Sequence, residues 1–173
     1  GGWLIVDEAF IDCYPDDSLA PYAGTDEAPN LIVLRSIGKF FGLAGARVGF
    51  LFAAPELLGR MSEAMGPWTI SGPSREAAKL ALQDTAWQAA TRPRLQAAGE
   101  RLHQLLAPLG EVKSTALFAS LTTPHASELH ETLARQGILT RRFDQQPLLR
   151  FGLPGNEDEW QRLARALAEW KPA

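Results

Sequence analysis

An α/β fold is predicted for this chain by three features of its sequence. Short apolar runs rich in β-branched residues, Trp3 to Val6 and Leu31 to Leu34, each stop at polar residues, the pattern of parallel strands buried on both faces. From Pro73 to Leu109 the chain is rich in Ala, Leu, Gln, Glu and Arg, with Leu95, Leu102, Leu105, Leu106 and Leu109 at helical spacing. Beyond Gly110 the pattern resets to a smaller unit in which strand and helix signals alternate.

Each element follows from its own residues. The first run ends in Asp7-Glu8 and the second in Arg35-Ser36, so reactive groups sit at the carboxyl ends of strands, where open α/β sheets place ligands. Pro15, Pro21, Gly24 and Pro29 mark the connection between them as mostly loop. Val48 to Ala54 reads as a third strand. Pro93 is expected to break or kink the long helical stretch. After Gly110 come a strand near Leu117 to Leu121, a helix near Ser127 to Gln136 closed by Gly137, and strands near Ile138 to Arg142 and Leu148 to Gly152. Asn156 caps the last helix with Glu159 in the capping-box position. Trp160, Leu163, Ala164, Leu167 and Trp170 form its apolar face, and Trp68, Trp87 and Trp170 read as packing residues.

The length of 173 residues suits one mid-sized domain or a small two-part unit. A net charge of −3 argues against nucleic acid as a partner, since duplex binding needs a basic face. The single Cys13 excludes an internal disulfide framework and fits a reducing compartment, so the cytoplasm is the expected location. No apolar run approaches the roughly 20 residues needed to span a bilayer, so no membrane partner is expected. Gly1-Gly2 leads without a Met into an apolar run, and the chain reads as a fragment that begins inside a fold.

The stretch from Ser36 to Phe50 sets a lysine and a glycine-rich segment after a buried strand. A phosphate-binding P-loop is ruled out, because Val33 stands five before Gly38 and Phe40 follows Lys39. A dinucleotide fingerprint is ruled out too, because Gly42, Gly45 and Gly49 are spaced three and four apart. A hydroxyl, a lysine and an arginine near a strand end remain, a set suited to a phosphorylated aldehyde cofactor.

In its lysine motif the segment resembles the class I and II aminotransferases, which carry a Ser three before the cofactor-binding lysine and an Arg eight after it; Ser36, Lys39 and Arg47 match in register. Asp7-Glu8-Ala9-Phe10 is similar to the family's Asp-x-Ala-Tyr strand end, and Leu148 to Gly152 to its carboxylate-binding strand. The resemblance implies the aspartate aminotransferase-like fold, with residues 1–92 as the later part of the large cofactor-binding domain and 93–173 as the small α/β domain. It implies pyridoxal 5'-phosphate as cofactor and no metal. Lys39 would bond to the cofactor aldehyde and carry a proton, Asp7 would pair with the ring nitrogen, and Phe10 would lie beside the ring. Ser36 and Arg47 would bind the cofactor phosphate, and Arg150 would hold the substrate carboxylate.

Two departures narrow the resemblance. Phe10 stands where most members have Tyr, and Gly38 where a second hydroxyl is common. With the closing string Pro147 to Gly155, they resemble the threonine-phosphate decarboxylase branch of cobalamin biosynthesis. That branch implies decarboxylation of L-threonine O-3-phosphate to aminopropanol phosphate, with Arg141 or Arg142 as candidates for the substrate phosphate; of these Arg142 is taken as the substrate-binding residue. Strand alternation lets at most one of the two point inward. The resemblance also implies a homodimer for the intact protein and no turnover by this chain alone. The alternatives are a histidinol-phosphate-type aminotransferase, which Phe10 disfavours, and a non-catalytic α/β interaction module, which has no need of Asp7, Lys39 and Arg47 in register.

Overall fold

A computed structural model describes residues 2–172, which divide into two compact units between Arg92 and Pro93. In the first, β1 (Leu4–Asp7) and β2 (Leu31–Ser36) run parallel, and β3 (Gly49–Phe52) pairs antiparallel with β2. The long link between β1 and β2, wound into three short 3-10 turns, makes the parallel pairing possible, since parallel neighbours need a crossover of about a dozen residues or more. Leu31, Ile32 and Val33 are buried, as suits the central strand, whereas Leu4 and Ile5 are 60% and 61% exposed. Burial on both faces therefore holds for β2 and not for the first run, because β1 is the sheet's edge and has β2 as its one neighbour.

Two helices follow, α1 (Pro55–Met65) and α2 (Gly72–Gln83), the second capped by Ser71, whose side chain accepts from the Ser74 N–H. The sequence gives no clear sign of α1, because Gly59 and Ser62 interrupt its apolar spacing and none of its residues is buried. Trp68, between the two helices, is 92% exposed and is not the packing residue expected.

Pro93 does not end the helix that contains it, for α3 runs from Thr85 to Leu106 (Thr85–Leu106). The ring removes the hydrogen bond to the Ala89 carbonyl, and packing on either side of it offsets that loss. Trp87 stacks on Phe41 and meets Phe40 edge-on, with centroids 5.9 and 5.2 Å apart. Leu102 and Leu106 are fully buried.

The second unit is a four-stranded antiparallel sheet, ordered β4 (Glu111–Ser114), β5 (Phe118–Thr122), β7 (Leu148–Gly152) and β6 (Arg141–Phe143), with α4 (Ala126–Arg135) and α5 (Glu157–Glu169). Alternation gives the sheet two unlike faces. Ala119, Leu121, Leu149 and Phe151 enter one core with Leu129 and Leu133 of α4 and Trp160, Leu163 and Leu167 of α5. The other face carries Phe118, Ser120, Arg150, Arg141 and Phe143. Gly99 lets α3 approach the β4–β5 turn, since a Cβ there would lie 2.6 Å from the Thr115 carbonyl oxygen. β6 starts later than its apolar run, because Gly137, with φ of 71°, turns the chain out of α4 and the next residues span the gap. At α5 the Asn156 side chain accepts from the Glu159 N–H at 2.9 Å, and the Glu159 carboxylate accepts from the Gly155 N–H at 2.7 Å. Ala166 is buried, and Ala164, expected on the apolar face, is half-buried.

Among the described residues no helix is long and apolar enough to cross a membrane. Among them, too, no group of three or more His, Cys, Asp or Glu could hold a metal ion.

Candidate functional site

The parallel pair of strands sets the first candidates. Asp7 lies alongside Leu34 in the β1–β2 register. Leu34 and Ser36 point to one face by alternation, so Asp7 and Ser36 share a face at the carboxyl ends of neighbouring strands. Asp7 is exposed, and one of its carboxylate oxygens accepts from the Ala9 N–H at 2.9 Å. The Ser36 hydroxyl accepts from the Gly38 N–H at 3.0 Å, which starts the turn into the lysine loop. A Cβ at residue 38 would stand 3.2 Å from both Ser36 Oγ and Ala44 Cα, so this tight turn favours glycine there.

Lys39 projects from a loop anchored on either side by buried Ile37 and Phe40. The Gly42 N–H donates to the Lys39 carbonyl at 3.0 Å and the Leu43 N–H to the Ile37 carbonyl at 3.1 Å. Lys39 Nζ lies 5.5 Å from the centroid of the Phe10 ring, and among the described residues no carboxylate pairs with it. Arg47 is, among the described residues, the single non-glycine residue with positive φ, at 55°. That backbone costs a residue with a Cβ about 1 kcal/mol or more, and it persists where the surroundings enforce it. Its guanidinium donates to the Ala44 carbonyl at 3.3 Å and, among the described residues, has no carboxylate partner.

Behind these groups lies a charged support that sequence reasoning missed. Glu8 is buried and accepts from the Ser18 hydroxyl and the Leu19 N–H, both at 2.6 Å, fixing the loop after β1. Asp12, also buried, pairs with Arg35 of β2. Arg92 donates from Nε to the Asp12 carbonyl at 2.8 Å while its guanidinium lies 5.6 Å from the centroid of Phe40, the residue after Lys39. Burial pushes the neighbouring Cys13 thiol up from its ordinary pKa; Asp12 adds to this and Arg92 opposes it. Acidic and basic residues next to the apolar runs were the available signal, but only the fold pairs residues 12, 35 and 92.

In the second unit the register decides among the arginines. Arg150 of β7 stands directly opposite Arg141 of β6, so both point to the face away from the helices. The Arg150 guanidinium lies 5.1 Å from the Phe118 ring centroid and that of Arg141 5.0 Å from Phe143. Among the described residues neither has a carboxylate partner. Arg142, the expected substrate-phosphate residue, is placed otherwise. It stands opposite buried Leu149, and its guanidinium is held by Asp144 at 2.9 Å and by the Ser127 hydroxyl at 2.9 Å. Of the two, Arg141 is therefore the one that shares a face with Arg150, because the hairpin fixes the parity of β6 against β7.

The chain matches the model of the family described as aminotransferase class I and II over residues 1–167. It is 51% identical over 173 residues to the threonine-phosphate decarboxylase of Pseudomonas aeruginosa, covering 99% of this chain and 51% of that protein. It is 41% identical over 169 residues to the threonine-phosphate decarboxylase of a Sinorhizobium species, covering 97% of this chain and 50% of that protein. Among solved structures, the histidinol-phosphate aminotransferase of Clostridium acetobutylicum superposes with a TM-score of 0.83 at 24% identity, over 95% of this chain and 53% of that one. That likeness bears out the fold expected from the sequence. The chain spans about half the length of the curated relatives it matches. From the match along nearly its whole length, the chain belongs to the class I and II aminotransferase family.

Proposed function

We propose that the intact protein binds pyridoxal 5'-phosphate and decarboxylates L-threonine O-3-phosphate to aminopropanol phosphate. The observation that carries the substrate reading is the cross-strand pair Arg141 and Arg150. Two like charges placed directly opposite each other destabilise a sheet, and a substrate with a carboxylate and a phosphate offers the compensating charge to both. The two threonine-phosphate decarboxylases, at 51% and 41% identity, support the same reading.

The residues of the first unit fit the cofactor by their chemistry. Lys39, exposed and, among the described residues, without a carboxylate partner, is placed to bond to an aldehyde and to hold a proton at Nζ. The open Asp7 carboxylate suits a protonated ring nitrogen. Ser36, on the same strand-end face, and Arg47, in its constrained left-handed backbone, suit a phosphate. Phe10 offers a ring face where most of the family donates a hydroxyl hydrogen bond. The cofactor, when bound, supplies an electron sink for the charge left at the substrate Cα as carbon dioxide leaves. Lys39 Nζ then delivers the proton that replaces the carboxylate, so that the amine of the product stays in place. In this reading residues 1–92 are the later part of a cofactor-binding domain and 93–173 a small domain, in a cytoplasmic homodimer.

The test supplies the intact protein, loaded with pyridoxal phosphate, with L-threonine O-3-phosphate. Carbon dioxide release without an amino acceptor is expected, with a loss of at least about a thousandfold in Lys39→Ala. Dependence on an acceptor would make the enzyme an aminotransferase, and no reaction by either route would overturn the assignment.

A further inference from the structure

The strand that carries Arg141 is weakly held. β6 has three residues and is the sheet's edge, with β7 as its one neighbour. The approach to it is tied to the core at Ile138 alone, since Gly137 turns in the left-handed region and Leu139 is 86% exposed. The next residue differs. Thr140, immediately before Arg141, is one of the few buried polar residues, and its hydroxyl lies 2.7 Å from Nδ1 of His130 on α4.

We propose that His130, acting through Thr140, is a positioning residue for Arg141 and so sets the affinity of the Arg141–Arg150 face for the phosphate of its substrate. The inference rests on the reading of that arginine pair as the substrate's anion site. A buried hydroxyl that loses its partner draws its backbone toward water, and here that backbone is the first step of the strand. The tether joins the edge strand to a helix whose Leu129 and Leu133 are fully buried, so the fixed point is the core itself. Without it, β6 would fray from its start, and Arg141 would lose its place opposite Arg150.

The experiment uses the intact holoenzyme and titrates inorganic phosphate, as inhibitor or direct ligand, against native protein and variants. Thr140→Val, which keeps the shape and removes the hydroxyl, and His130→Ala are each expected to weaken phosphate binding about tenfold. Thr140→Ser and His130→Asn, which retain a hydrogen-bonding group, should stay near native affinity. Cofactor affinity, read by absorbance, should be unchanged in all four. Because Thr140 acts through Arg141, Thr140→Val combined with Arg141→Ala should bind phosphate no more weakly than Arg141→Ala alone. Native phosphate affinity in Thr140→Val, or losses that add in full in the double variant, would overturn the proposal. An enzyme that shows this phosphate pattern yet does not decarboxylate threonine phosphate would uphold the tether and remove the proposed substrate.

Discussion

The two units solve the same problem, covering a sheet, to different degrees. In the second, one face of a four-stranded sheet is closed by helices, and residues as far apart as Leu102, Leu129, Leu149 and Trp160 share a single core. In the first, buried apolar residues lie along β2, at Leu31, Ile32 and Val33, and in a separate cluster around Ile37, Val48 and Ala78, while Leu4 and Ile5 of β1 are exposed. The first unit nonetheless holds Asp7, Ser36, Lys39 and Arg47, and it is stiffened by polar ties such as Asp12 with Arg35 and Arg92. Apolar packing joins strands and helices in the second unit, while in the first, hydrogen bonds and ion pairs also fix the loops at the strand ends. A buried ion pair contributes little net stability against an apolar replacement but is costly to break by halves, so such ties favour one geometry more than they add stability.

The largest effect should separate the units. Leu129→Ala removes a fully buried side chain from the second core and is expected to cost about 2–5 kcal/mol in denaturant unfolding. Ile5→Ser, on the open edge, should change stability by no more than about 0.5 kcal/mol. Its effect should fall on self-association, since an exposed apolar edge strand is a template for pairing, and sedimentation should show less association in the variant. Equal destabilisation by the two substitutions would break the contrast.

What could be read in advance divides along the same line. Periodicity exposed α4, β7 and α5, because in each the side chains that face the core differ sharply from those that face water, and a continuous apolar run exposed β2, which is buried on both faces. It missed α1, which buries nothing, and β4, a short edge strand with three of its four residues exposed. Of the two outcomes expected at Pro93, a break does not occur, since a local rule on helix breaking does not see Trp87 stacked on one side of it and Leu102 buried on the other. Among the candidate site residues, Ser36, Lys39 and Arg47 could be proposed from the sequence because a fixed spacing carries them. Placing Arg141 and not Arg142 opposite Arg150 needed the register of β6 against β7, and the Asp12, Arg35 and Arg92 group needed contacts across 80 residues of chain. Long-range pairing of this kind leaves no periodic trace in one sequence.

Helix capping offers a smaller comparison of the two units. Asn156 accepts from the Glu159 N–H at 2.9 Å, and Glu159 answers with a bond to the Gly155 N–H. Ser71, at the start of α2, accepts from the Ser74 N–H at 3.3 Å with no such return bond given by a carboxylate. Asn156→Ala should cost about 1 kcal/mol, within the range for good N-caps, and Ser71→Ala less. Thermal unfolding of both variants would sharpen the contrast, and a larger loss from Ser71→Ala would reverse it.

The smallest effect lies on the surface of the better-packed unit. Arg101 forms a two-pronged pair with Glu157, with N–O distances of 2.7 and 2.8 Å, and its guanidinium lies 4.4 Å from the Trp160 ring centroid. The hydrogen bonds from Arg101 hold the Glu157 carboxyl below its ordinary pKa. A carboxyl depressed in the folded state stabilises it above the unfolded pKa and loses that contribution as pH falls through the folded value. Glu157→Gln should therefore lower stability slightly near neutral pH, the loss kept small because both partners face solvent and salt screens them. The difference should close on the acid side, where the native protein loses this contribution with falling pH and the variant has none to lose. Denaturant unfolding of both proteins across the carboxylate range, at low and high salt, measures this difference. Parallel pH curves would mean that the pair, however good its geometry, is as strong in the unfolded chain as in the folded one.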